Sequence, residues 1–217
     1  LDPDRCFSPV PAVRELAREL YAGVRDLPLV SPHGHVPPEL LADEDARFPD
    51  PASLLIVPDH YVFRMLHSQG VPLESLGVPT LDGTPVETDP RRIWRTFCAH
   101  FHLFDGTPTG LWLKAELVEL FGLDVKPSPE TADATYDQLA ARLAEDSFRP
   151  RALFASFGIE LLATTDAATD DLAPHAAARR DGLPVVPTFR PDALLQTADP
   201  AWPQRLELLE ARADAVV

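Results

Sequence analysis

The chain has 217 residues, 45 % of them apolar, enough to bury a core in one large domain or two small ones. Its net charge of −15 excludes nucleic acid and anionic membranes as partners, because those surfaces select clustered Lys and Arg. Two cysteines are too few for a disulfide framework, and no apolar run reaches the length of a membrane span, so a reducing, cytoplasmic setting is expected.

Leu1 opens the chain and Met65 is its only methionine, so the natural N-terminus is expected elsewhere. The spacing of Leu16, Leu20 and Val24 predicts a helix over 14–24, entered through Ser8-Pro9-Val10-Pro11. The apolar run Leu27-Pro28-Leu29-Val30 then predicts a buried strand ending near Ser31, and Pro32-His33-Gly34-His35 follows it. Two histidines at i and i+2 on a strand project to one face, which lets two imidazoles share one metal ion. His100 and His102 repeat that spacing, but Ile93, Trp94, Phe97, Phe101 and Phe104 have a helical period around them. Neighbours at i and i+2 then fall on roughly opposite sides, so this second pair is expected to be ordinary helix residues.

From Pro37 to about Pro150 the pattern becomes Pro-punctuated helices, predicted at 61–68, 90–104, 108–122 and 131–144. Thr107 as N-cap, Pro108 at the first helical position and Gly122 just past the end form a consistent set of boundary signals. After Ser147 the pattern changes again. A helix over 149–157 is stopped by Gly158, a strand follows over 159–164, and Thr165-Asp166 ends it. Asp170-Asp171 opens a helix to about Arg180, Asp181-Gly182 turns, and 183–189 reads as a third strand. Strand, helix and strand at this spacing predict a parallel βαβ unit. The polar clusters His33/His35, Thr165/Asp166 and Arg190/Asp192 fall just beyond the C-terminal ends of their strands, where α/β folds place their chemistry. A last amphipathic helix carrying Leu206, Leu209 and Ala213 leads to an uncapped apolar end at Ala215-Val216-Val217. Three strands cannot close a barrel, so the chain is expected to be the first part of a longer protein.

Four spaced segments resemble the uronate isomerases, a branch of the metal-dependent amidohydrolase superfamily. They are Pro32-His33-Gly34-His35, Asp59-His60-Tyr61-Val62-Phe63-Arg64, Thr164-Thr165-Asp166, and Pro187-Thr188-Phe189-Arg190-Pro191-Asp192. The Trp94/Phe97/Phe101/Phe104 run leading into Gly106-Thr107-Pro108 is also similar to that family. The resemblance implies an α/β fold: the N-terminal part of a (β/α)8 TIM barrel with a large helical insertion after the first strand. The expected divisions are 1–36 for the first helix and strand, 37–150 for the insertion, and 151–217 for the second and third strands. It further implies interconversion of aldohexuronates (glucuronate, galacturonate) with ketohexuronates (fructuronate, tagaturonate). One divalent metal, usually taken as zinc, would be held by His33, His35 and an aspartate from the last strand that has no counterpart here. His60 would assist ring opening and Tyr61 would shuttle a proton.

Moving a carbonyl from C1 to C2 needs an acid/base within hydrogen-bond reach and positive charge near the developing oxyanion. Phenols titrate near 10, so proton transfer through a tyrosine needs a neighbouring cation or metal. Arg190, projecting from a strand end, offers a planar fork for a sugar-acid carboxylate, or it pairs with Asp192 instead. Asp166 either orients a ligand or, with Asp170 and Asp171, caps the next helix. The partner expected is a small hexuronate, and a homo-oligomer stays open. Two other readings stay open as well: a metal-dependent hydrolase of the same superfamily, and a non-catalytic fragment or binding module. A carboxylated lysine would favour the hydrolase, yet the only lysines, Lys114 and Lys126, fall in the insertion.

Overall fold

In the computed structural model, which describes residues 1–214, the elements follow one another in the order helix, strand, a long helical stretch, then strand, helix and strand. They are α1 (Pro11–Ala22), β1 (Leu29–Gly34), α2 (Glu39–Ala42), α3 (Pro51–Leu55), α4 (His60–Ser68), α5 (Pro90–Ala99), α6 (Pro108–Ala115), α7 (Ala132–Leu143), α8 (Pro150–Ser156), β2 (Ile159–Thr164), α9 (Ala173–Arg180), β3 (Val185–Pro187), α10 (Asp192–Leu195) and α11 (Trp202–Asp214). The expected apolar end at Ala215–Val217 lies outside the described residues. No helix among those described is long and apolar enough to cross a membrane.

Contacts divide the chain into two units: Leu1–Ala22 with Arg47–Phe148, and Gly23–Ala46 with Arg149 onward. This differs from the expected boundaries at 36 and 150. The first helix joins the helical unit, whereas α2 joins the sheet unit, because Leu41 belongs to the same apolar cluster as Phe154 and Leu162.

The helical unit is built on an aromatic core. Phe97 packs against Trp94, Phe101 and Phe104 at ring-centroid distances of 5.2, 5.4 and 5.7 Å, and all four side chains are fully buried. The Trp94 indole N–H donates to Thr135 Oγ1 at 3.1 Å, which gives the one polar edge of that core a partner on α7. Burial pushes the neighbouring Cys98 thiol up to about 12. The expected boundary signals at α6 hold: Thr107 accepts from Gly110 N at 3.0 Å, Pro108 occupies the first turn, and Gly122 has φ 73°. Gly110 serves a second purpose, since a Cβ there would lie 1.9 Å from the Phe104 carbonyl oxygen.

Two helices end sooner than their periodicity predicts. α5 stops at Ala99 and a 3-10 turn covers Phe101–Phe104, so that Phe101 and Phe104 both turn inward. α6 gives way to a π-helical turn over Glu116–Leu120. The first break changes the helical placement expected for His100 and His102: their rings lie 24° from parallel with centroids 6.5 Å apart, where α5 has ended and the 3-10 turn begins. The apolar face of α1 is also not buried, with Leu16 and Leu20 exposed.

The sheet unit is a three-stranded parallel sheet in the order β1-β2-β3. Leu162 pairs with Ser31 on one side and Val185 on the other. Its core is Leu41, Phe154, Leu162, Ala178 and Val185. Arg151 fastens three elements at once: its guanidinium donates to the carbonyls of Leu41 and Ala42 at the end of α2, at 2.9 and 2.8 Å, and to Asp181 after α9, at 2.8 Å. β1 differs from its expected form. It runs to Gly34 and not to Ser31, with a register break between Ser31 and Gly34, and Leu29 and Val30 are exposed. β3 is shorter than expected, Val185–Pro187, since prolines at 184 and 187 have no N–H for the ladder.

Candidate active site

The C-terminal ends of all three strands carry polar side chains. His33 stands on β1 inside the register break between Ser31 and Gly34, and His35 just beyond the strand, both exposed, while Gly34 between them pairs with Thr164. Their rings meet edge to face at 4.8 Å, and the two Nε2 atoms are 3.0 Å apart. Gly34 lets β1 lie close to β2: a Cβ there would come 2.8 Å from Leu162 Cδ1. Thr165 Oγ1 donates to the Gly34 carbonyl at 2.9 Å, tying the backbone between the two histidines to the end of β2. Among the described residues no group of three or more His, Cys, Asp or Glu is placed to hold a metal.

At the end of β2, Asp166 is buried and does not cap the next helix. Its Oδ2 accepts from Thr164 Oγ1 at 2.7 Å and from Thr188 N at 3.3 Å. No side chain caps α9, whose N-cap position is Leu172; Asp171 accepts from Ala173 N at its start, and Asp170 accepts from Ala167 N in the turn before it. Thr164 Oγ1 also lies 2.7 Å from His175 Nε2, a buried histidine on α9. Nothing in the sequence singled out His175. An isolated histidine between Pro174 and Ala176 has no motif, and only the position of α9 over the strand ends shows what it touches.

Arg190 follows β3. Its backbone bridges Ala167 in parallel and its carbonyl accepts from Ala168 N at 3.2 Å. The guanidinium is exposed and reaches Asp192, Nε to Oδ2 3.3 Å, which is the pairing left open by the sequence.

On the helical unit, His60 and Tyr61 begin α4. Asp59 caps the helix, its Oδ1 accepting from Tyr61 N at 2.8 Å and Val62 N at 3.4 Å. The imidazole and phenol are neighbours at 4.2 Å, and Trp112, which sequence reasoning missed, lies edge-on to Tyr61 at 6.3 Å. Tyr61 is 57 % exposed. Glu116, at the start of the π turn, has its carboxyl raised above the usual range by burial and then by the Asp59 charge. The structure therefore joins His33 to His35, and His60 to Tyr61, while Arg190 stands with Asp192.

The model of the glucuronate isomerase family matches residues 11–217. A uronate isomerase of Nostoc punctiforme is 52 % identical over 212 residues, and one of Rhizobium meliloti is 54 % identical over 211. The chain belongs to the uronate isomerase family. It covers little more than two-fifths of its relatives, 45 % of each of those two proteins, while they match 97 % and 96 % of it. The crystal structure of a glucuronate isomerase from Caulobacter crescentus superposes with a TM-score of 0.90 at 46 % identity, over 96 % of this chain and 43 % of that one. A uronate isomerase from Thermotoga maritima, 26 % identical, gives 0.83 over 98 % of this chain and 44 % of that one.

Proposed function

We propose that this chain supplies part of the active site of an aldose–ketose isomerase acting on hexuronates, with D-glucuronate and D-galacturonate as aldoses and D-fructuronate and D-tagaturonate as ketoses. The parallel sheet is read as the first three strands of a (β/α)8 barrel, a fold that places its chemistry at the C-terminal ends of strands. The observation that carries the reading is the convergence of His33 Nε2 and His35 Nε2 to 3.0 Å at such a strand end, in a member of the uronate isomerase family. Two imidazole nitrogens sharing a tetrahedral ion at about 2.0–2.1 Å stand about 3.3 Å apart, so the pair fits a divalent metal such as zinc. Held by His33 and His35, the ion would supply positive charge to stabilise the developing oxyanion.

The reaction leaves the formula of the sugar unchanged. The ring opens to the aldehyde, a proton leaves C2, the hydroxyl proton on O2 passes to O1, and a proton returns to C1. Arg190 binds the carboxylate at the far end of the substrate. Its present partner is easily replaced, because an exposed Arg–Asp pair is worth only about 0–1 kcal/mol and a substrate carboxylate offers the same fork a better match. His60, at the exposed start of α4, exchanges the ring-opening proton, and Tyr61 carries the proton between the two carbons. Asp59 caps the turn of α4 that carries both residues, accepting from the backbone N–H groups of Tyr61 and Val62.

A metal-dependent hydrolase with a carboxylated lysine fits less well. Both lysines are engaged with Asp105, at 2.7 and 2.8 Å, within the helical unit. Metal analysis of the full-length polypeptide that carries this chain tests the proposal. His33→Ala and His35→Ala are expected to lower metal content and isomerase activity together, while His100→Ala and His102→Ala leave both unchanged. Equal metal content in all four variants would remove the assignment.

A further inference from the structure

The buried trio Thr164, Asp166 and His175 lies where the end of β2 meets α9, and hydrogen counting shows how it is wired. A hydroxyl has one proton and a carboxylate has none to give. Thr164 Oγ1 therefore donates to Asp166 Oδ2 at 2.7 Å, the shorter of its two acceptor contacts beside the Val186 carbonyl at 3.3 Å, and its contact with His175, also 2.7 Å, takes the proton of His175 Nε2–H. That leaves His175 Nδ1 buried with no hydrogen-bond partner among the described residues. An apolar side chain would fill the same space without an unpaired atom, so packing alone gives no reason for an imidazole here. The bond to Thr164 does.

Thr164 and Asp166 pass this anchor on to both halves of the sheet edge. Thr188 Oγ1 donates to the Thr164 carbonyl at 2.6 Å, and Thr188 N donates to Asp166 Oδ2. Two residues later the Arg190 backbone is held by Ala167 and Ala168. On the opposite side Thr165 holds Gly34, between the two histidines. We propose that His175 is a positioning residue: through Thr164 and Asp166 it fixes the segment 164–168, and with it the placement of Arg190 against the substrate carboxylate. The placement of the substrate rests on the isomerase reading above; the coupling of His175 to the backbone of 188–190 does not.

The test uses His175→Leu and His175→Gln in the full-length polypeptide, since a glutamine amide puts an N–H near the place of Nε2. Hydrogen exchange of the backbone amides in 186–192 and steady-state kinetics on D-glucuronate are measured side by side. His175→Leu is expected to speed exchange at Thr188 and to raise KM about ten-fold with kcat little changed, and His175→Gln to restore most of both. If His175→Leu does not fold, Thr164→Val, which deletes the hydroxyl at nearly constant shape, is expected to give the same result. Unchanged exchange, unchanged KM, or equal damage by Leu and Gln would overturn the inference. Should the unaltered protein turn over no hexuronate, the isomerase reading fails, and the exchange data alone decide the coupling.

Discussion

Replacing Arg190 with Met separates substrate binding from folding. The guanidinium pairs with Asp192 at 3.3 Å, with the two side chains 51 % and 68 % exposed. Pairs of that kind contribute about 0–1 kcal/mol, and the backbone links of Arg190 to Ala167 and Ala168 do not use the side chain. The melting temperature should therefore shift by only a few degrees at most. Losing a charge-assisted pair to the substrate carboxylate costs about 1.5–3 kcal/mol, which is roughly ten- to over a hundred-fold in KM. The assay is steady-state kinetics of the full-length polypeptide on D-glucuronate and on an uncharged aldose without the carboxylate. The uncharged sugar should be a poor substrate from the outset and should lose little more with Arg190→Met. Equal loss on both sugars, or a large fall in melting temperature, would show that Arg190 holds the fold and not the ligand.

Tyr61→Phe deletes only the phenolic oxygen of an exposed ring whose backbone N–H still bonds Asp59, so kcat should fall steeply while the melting temperature barely moves; kinetics paired with calorimetry checks this. Cys98, with its thiol raised to about 12 by burial, should resist alkylation at neutral pH until the protein unfolds, whereas exposed Cys6 reacts in the folded state; mass spectrometry of labelled peptides distinguishes the two. Gly110→Ala would press a methyl group into the Phe104 carbonyl, so denaturant titration should show a loss of about 1–3 kcal/mol or more.

Much of the sheet unit was legible because its signals are local. Ile159 to Thr164 is an apolar run of strand length, Gly158 ends the helix before it with φ 63°, and the βαβ spacing leads to a parallel pair. The His33/His35 pair was legible for the same reason, as two residues apart on one strand need no distant partner to meet. The misses are tertiary. α5 was read through to Phe104 because Phe101 and Phe104 continue the apolar period, but burying both beside Phe97 is achieved by a 3-10 turn, and the His100/His102 geometry changes with it. Leu16 and Leu20 mark an apolar face on α1 without saying what covers it. His175 was invisible because its partners lie 9 and 11 residues away across a strand end, and of the two roles left open for Asp166 the cap is not made, its carboxylate accepting from a buried threonine hydroxyl instead.

The central claim is that the complete protein isomerises a hexuronate, and ¹³C NMR of D-glucuronate labelled at C1 and C2, incubated with the full-length polypeptide and zinc, tests it most directly. The account predicts that the anomeric C1 signals give way to a C1 hydroxymethyl and a C2 hemiketal carbon, at constant total sugar and only with His33 and His35 intact. Substrate left unchanged on glucuronate and galacturonate alike, across a series of divalent metals, would contradict it.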